Sequence, residues 1–200
     1  MHVSEGVLPL WEVALGWGLT ALGTAVGLKK LEGEKLPLAA LLTALFFVAS
    51  LVHVPVGVGS AHLLFNGLLG LLLGWGAFPA LLVGLFLQAV LFQFGGLLVL
   101  GVNAFNMALP AVLAGRLFRN WIKEEGLKFY AGAFLTAFTA VLGSGLLLAL
   151  ELALAGEEFL TDALLVLALH LPTAAAEGLV YAFLLKFLKK NFPDLLEENR

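Results

Sequence analysis

The chain is predicted to be an all-α polytopic membrane bundle, with about seven spans in a single integral membrane domain over residues 1–200. Three observations predict this. First, hydrophobic residues make up 61% of the 200 positions and charged residues only 12%, whereas a soluble globular chain carries about 25% charged residues. Second, apolar stretches long enough to cross a bilayer follow one another with short connections, leaving no room for a soluble domain. Third, the basic residues fall on one side of the alternation that those stretches imply. There is no cysteine, so thiolate metal sites and disulfides are excluded.

Seven apolar segments follow in order: 9–28, 36–54, 61–77, 78–97, 102–118, 129–155 and 162–188. The first carries Gly16, Thr20, Gly23 and Gly27 at helical spacing, a ridge of small residues that lets helices approach closely in lipid. The second ends in His53-Val54-Pro55-Val56-Gly57. The third has a similar ridge at Gly67, Gly70 and Gly74. It is separated from the fourth only by Gly76-Ala77-Phe78-Pro79, and a six-span reading would merge or drop one of these segments. The fourth ends at Gly95-Gly96, a pair that predicts a turn with close backbone approach. The fifth opens with Asn103, the sixth follows Lys128 and the seventh follows Asp162. Both ridges are expected to serve packing inside the bundle. The polar stretch from Asn191 to Arg200 is expected to fray.

Charge sets the orientation. The basic residues are Lys29, Lys30, Lys35, Arg116, Arg119, Lys123, Lys128, Lys186, Lys189, Lys190 and Arg200. With seven spans and the N-terminus outside, all of them lie on one side, which the positive-inside bias makes the cytoplasm. The outer loops then carry only acids: Glu5, Glu157, Glu158 and Asp162. The predicted arrangement is a multi-pass protein of the plasma membrane with its C-terminus inside. No Lys or Arg precedes Lys29, so the first segment lacks the charged leader of a cleavable secretion signal.

Polar side chains at membrane depth are costly, so each is a site hypothesis. His53, His62, Asn103 and Asn106 fall at the outer ends of their segments, and His170 lies about 12 Å below the outer end of the seventh at 1.5 Å per residue. Asn66 is four residues beyond His62, and Asn103 and Asn106 are three apart, so each pair is expected to share a helical face. Any one of these is readily a hydrogen bond between helices, but their convergence on one side is harder to assign to packing. Met1-His2 lies on that side too. A free amine, the next amide nitrogen and the His2 imidazole can close two chelate rings on one ion, and a further histidine could add a fourth nitrogen. Such donors suit Ni(II), Cu(II) and Co(II) rather than Mg or Ca. The competing reading of a terminal histidine is an ordinary frayed end.

Gln88 and Glu177 lie deeper and are read as possible ties between helices, with a coupling role for Glu177 left open. Glu151 is expected to be an exposed interfacial acid. No GxxxxGK[ST] loop, HExxH or Ser/His/Asp arrangement is present, so no catalytic residue is assigned and ATP hydrolysis is expected on other subunits. Nothing points to nucleic acid or to a resident cofactor.

At this point the residues form a familiar series. Met1-His2-Val3-Ser4-Glu5-Gly6, Val52-His53-Val54-Pro55-Val56-Gly57, Ser60-Ala61-His62-Leu63-Leu64, Gln88 to Gly96, Gly101-Val102-Asn103-Ala104-Phe105-Asn106-Met107 and Glu177-Gly178-Leu179 occur in this order. Together they resemble the cobalt- and nickel-binding membrane subunits of energy-coupling-factor transporters, the CbiM/NikM family, and are closest to its cobalt members, which serve cobalamin synthesis. The resemblance implies an N-terminus tucked into the protein. There the Met1 amine, the His2 amide and imidazole nitrogens and the His62 imidazole hold one ion, Co2+ or Ni2+, as transported substrate. It implies a transmembrane coupling subunit, cytoplasmic ATPase subunits and a small membrane subunit as partners. Longer members carry that small subunit as a C-terminal fusion; here it is expected on a separate chain. Phe94 stands where many members have a polar residue. The donor set by itself favours nickel, whereas the family wording favours cobalt. Two other readings are a metal-independent membrane scaffold and an organic-solute binder with Asn66, Asn103, Asn106 and His170 lining an outer pocket.

Overall fold

The computed structural model describes residues 2–31, 33–51, 53–56 and 59–197, with the side chains of 34, 53–56, 59–61 and 197 outside the description. Among the described residues seven helices of eight or more residues form: α1 (Leu10–Lys30), α2 (Leu36–Leu51), α3 (Asn66–Leu73), α4 (Ala77–Phe92), α5 (Leu100–Lys123), α6 (Gly126–Ala155) and α7 (Leu160–Asn191). A short α8 (Asp194–Glu197) follows. Between α2 and α3 lies an antiparallel hairpin of β1 (His53–Val56) and β2 (Gly59–His62), with His53 opposite His62. Among the described residues, four stretches are long and apolar enough to cross a membrane: Asn66–Phe92, Leu100–Lys123, Gly126–Ala155 and Glu157–Asn191.

Side-chain register gives each helix its direction. Asn66 reaches Met107 and Leu71 reaches Arg119, so α3 runs parallel to α5. Leu64 and Phe65 meet Glu177, and Leu68 meets Tyr181, so α3 is also parallel to α7. Thr43 meets Ala80, and Ser50 meets Gln88, so α2 and α4 run together. Gly145 packs on His170, and Gly178 on Phe134, so α6 opposes α7. The stretch Asn66–Phe92 folds back on itself. Its first helix ends beside the C-terminal half of α5, whereas the chain just beyond α4 passes Asn103 at the start of α5. The reversal occurs at Gly74, whose φ of +55° suits glycine, in a 3₁₀ turn over Gly74–Gly76.

Apart from Gly74, which lies at the reversal after α3 with open space beside it, the small-residue ridges pack inside the bundle, as expected. On α1, Gly16 lies against Val102, Gly23 against Phe78 and Gly27 against Trp75 and Pro79. Between them the Thr20 hydroxyl donates to the Gly101 carbonyl at 2.6 Å. On α3, a side-chain carbon at Gly70 would run into the backbone of Ala111, so these two helices touch backbone to backbone. Phe46, Leu64, Leu69, Leu81 and Tyr181 are fully buried at the centre, while Leu10, Leu22, Leu41, Leu117, Leu164 and Phe183 are exposed around the outside. An apolar periphery around a close-packed interior is what a bilayer solvent permits.

Two sequence expectations need correction. The segments 36–54 and 61–77 are not helical throughout: α2 stops at Leu51, and the helix of the third segment is only α3, preceded by β2 and by three non-helical residues that end in a left-handed Phe65. The physical reason is the Val-Pro-Val and Gly-rich run, which favours extended backbone and turns over helix. His62 and Asn66 therefore do not share a helical face.

Candidate metal centre

The start of the chain is held by hydrogen bonds to its backbone. Val3 N–H donates to Asn103 Oδ1 at 3.0 Å, and Asn103 Nδ2 donates back to the Val3 carbonyl at 3.2 Å. The Glu5 carboxylate accepts the Leu98 N–H at 2.8 Å. Val3 and Leu8 bury their side chains among Val13, Val99, Val102 and Leu148. With position 3 fixed in both directions, the residue before it is aimed inward. That residue is His2.

His2 faces His62. Their ring centroids are 5.9 Å apart, with 19° between the planes. With metal–nitrogen bonds of about 2.0–2.1 Å, two imidazoles on one ion have centroids at most about 6.4 Å apart, so the pair is close enough to share an ion. Phe94 stacks on His2 with centroids 6.5 Å apart. The turn that delivers Phe94 has left-handed backbone at Gln93 and positive φ at Gly95 and Gly96. A side-chain carbon on Gly95 would press on Asn103 and His2, and one on Gly96 would strike Glu5. The glycine pair thus makes the close approach that its sequence predicts.

His62 is buried, with Nδ1 3.3 Å from the Leu63 carbonyl. A proton shared with that carbonyl leaves the lone pair on Nε2. The backbone after His62 is fixed from α7. The Glu177 carboxyl group accepts the N–H groups of Leu64 and Phe65, and the Tyr181 hydroxyl accepts the Leu68 N–H at 2.6 Å. Phe65 is held at φ +51°, a conformation a bulky residue adopts only when its surroundings impose it. Glu177 is therefore a tie from α7 to the segment carrying His62, and Gln88 ties α4 to α2 by donating to Ser50 Oγ at 2.6 Å.

The structure thus brings His2, His62, Phe94 and Asn103 together. Met1 and the side chain of His53 lie outside the described residues. Asn66 turns away, donating to the Met107 carbonyl and to Ser144 Oγ. His170 is buried against Gly145, with Nδ1 2.7 Å from the Val166 carbonyl. Asn106 donates to Glu151 Oε2 at 2.6 Å, so Glu151 is half-buried and bonded rather than an exposed acid. Sequence reasoning missed Glu12, which is buried in the first turn of α1. Its spacing gave a signal: Glu12 sits four residues before Gly16 and so extends the Gly16-Thr20 ridge that faces the bundle.

The family model described as the cobalt uptake substrate-specific transmembrane region, CbiM, matches residues 2–195. A putative metal transport protein of Haemophilus influenzae is 43% identical over 202 residues, covering 98% of this chain and 97% of that one. The cobalt transport protein CbiM of Anoxybacillus flavithermus is 32% identical, covering 94% and 82%. The fused nickel transport protein NikMN of Rhodobacter capsulatus is 33% identical, covering all of this chain and 65% of its own. The crystal structure of a truncated transition metal transporter superposes with a TM-score of 0.77 at 26% identity, covering 95% of this chain and 99% of that one.

Proposed function

The chain belongs to the CbiM family of cobalt-uptake transmembrane proteins, and on that premise we propose that it is the substrate-capturing subunit of an ATP-driven importer for Co2+ or Ni2+. Membership makes it a multi-pass membrane protein of metal transport. In our reading the Met1 amine, the His2 amide and imidazole nitrogens and the His62 imidazole hold the ion. The observation that carries this is the His2–His62 pair, 5.9 Å apart beside a terminus fixed on Asn103. Nitrogen donors select late first-row ions over Mg and Ca. We assign cobalt first, since the matching family model is described by cobalt uptake.

The donors come from two separately held segments. Residues 2 and 3 hang on Asn103 of α5, whereas the His62 segment hangs on Glu177 of α7. A small displacement of α7 against α5 pulls His62 off the ion and leaves the terminal chelate incomplete. ATPase subunits acting through a transmembrane coupling subunit need supply only that displacement to release the ion inward. The fused make-up of the Rhodobacter relative supports a further small membrane subunit. The N-terminus faces outward because the basic residues gather where α1, α3, α5 and α7 finish, and that side is cytoplasmic by the positive-inside bias.

The first residue tests the reading. A single residue added before Met1 moves the amine away and changes the ring sizes. Such an extension is expected to abolish metal uptake by cells, while a tag after Asn191 is tolerated. Equal uptake by the two tagged forms would refute a terminal chelate.

A further inference from the structure

The ends of α1, α3 and α5 where basic residues gather enclose a cavity of about 240 Å³, at the opposite end of α5 from the His2–His62 pair. Four cations from three parts of the chain line it: Lys30 at the end of α1, Lys35 just before α2, and Arg116 and Arg119 of α5. Arg116 and Arg119 are three residues apart and share a helical face. The floor of the cavity is backbone. A side-chain carbon on Gly115 would strike the backbone of Gly70 and Leu71, so α3 and α5 meet there with no side chain between them. Arg119 is anchored at this contact, donating from Nη2 to the Leu71 carbonyl at 2.9 Å, which uses one of the five N–H donors of the guanidinium. The charge is lopsided. Segments 29–35 and 116–119 hold five basic residues against Glu32 and Glu34, a net charge of +3. Glu124 and Glu125, farther along the chain, are paired with Lys128 and Lys189.

We propose that this cavity binds the phosphate of one anionic phospholipid, with an acyl chain of that lipid lying in a groove beside it. Like charges gathered in one cavity repel each other, and an anion relieves that cost. The surroundings identify the anion. Leu28, Leu36 and Leu117 are exposed within two residues of Lys30, Lys35 and Arg116. They face acyl chains, which sets the cations at the level of the headgroups. Trp75, a residue type favoured at that level, also lines the cavity. The groove is apolar, has a volume of about 480 Å³ and starts at the same wall: a side-chain carbon on Gly76 would press on both Leu31 of the groove and Leu73 of the cavity. It runs between α2 and α4 from Leu36 to Phe47, about 16 Å at 1.5 Å per residue. A charged hole beside an apolar trench matches the two halves of a phospholipid, whereas a soluble phosphate has nothing to place in the trench. In the orientation proposed above the lipid belongs to the inner leaflet, where basic pockets between spanning helices attract anionic headgroups. The site depends on the chain lying in a membrane and not on which ion it carries.

The probes are phosphatidylglycerol and phosphatidylcholine, titrated into the purified full chain in neutral detergent and counted by native mass spectrometry. The parent chain is expected to retain one phosphatidylglycerol in preference to phosphatidylcholine. Lys30→Gln/Arg116→Gln is expected to lower that affinity by about 30-fold, since each cation near a membrane surface contributes about fivefold. Arg119 is left in place because it holds Leu71. The comparison pair, Lys123→Gln/Lys186→Gln, removes two cations that do not line the cavity and is expected to change the affinity by less than about threefold. Thermal unfolding checks that the variants are folded; Arg116→Gln alone, with a loss of about fivefold, serves if the double variant is not. Equal retention of the two lipids, or equal losses in the two double variants, would reduce the cavity to general attraction between a basic surface and lipid and overturn the proposal. Displacement of phosphatidylglycerol by an equal concentration of inorganic phosphate would assign the cavity to a soluble anion and overturn it as well.

Discussion

Replacing Asn103 by leucine removes both hydrogen bonds that fix Val3. The Val3 N–H and C=O are then left in a buried place without partners, and each such group costs about 1–3 kcal/mol. The terminus escapes part of that cost by peeling away toward water, which takes His2 with it. The lower end of the range, about 2 kcal/mol in total, is therefore the share expected to appear as lost metal affinity, a rise in Kd of about 30-fold. The comparison variant is Thr20→Val. It removes one buried bond to the Gly101 carbonyl where α1 packs on α5 but leaves Val3 untouched. It is expected to lower stability by about 1 kcal/mol without changing the Kd. Competition with a chromophoric chelator for Co2+ and Ni2+, on purified protein with a native start, measures both. If Asn103→Leu folds and binds within about twofold of the parent, the positioning of His2 by Asn103 is refuted.

Glu177→Gln keeps one acceptor for Leu64 and Phe65 but sets an amide N–H₂ against the other donor. It is expected to weaken metal binding by about tenfold, since roughly 1–1.5 kcal/mol of backbone positioning is lost. Tyr181→Phe, which frees only the Leu68 N–H, is expected to lower the unfolding temperature with little change in Kd; equal effects of the two would show that α7 acts through stability alone. Metal affinity is expected to be full above about pH 8 and to fall as pH drops toward about 6, because an imidazole (about 6.5) and a terminal amine (about 7.7–8.0) must lose their protons to bind. A flat titration curve across that range would point to carboxylate ligands.

Much of the bundle was legible from the residues because bilayer physics leaves few choices. Apolar runs of sufficient length have to be helical, and their glycine ridges have to face other helices. Donor chemistry pointed to His2, while the choice of His62 among the other histidines came from the family resemblance. What could not be read was the part where backbone and side chain trade roles. The run from His53 to Phe65 is apolar enough to pass for helix, yet it forms two paired strands and a short non-helical linker. The last two amides of that linker, of Leu64 and Phe65, go to Glu177, a partner more than a hundred residues away. Asn103 is the same case: its neighbours suggest a pocket wall, but it reads the backbone of Val3, one hundred residues distant. Glu12 was overlooked for a third reason. An acid near the start of a helix is ordinarily solvated and favoured by the helix dipole, and only its phase with Gly16 and Thr20 shows that it points inward. In each case the residue type was informative and its partner was not, since a hydrogen bond across the bundle leaves no periodic trace in the chain. Polar residues in this bundle are therefore best ranked by helical phase against the small-residue ridges. By that criterion Glu12 would have stood beside the histidines from the start.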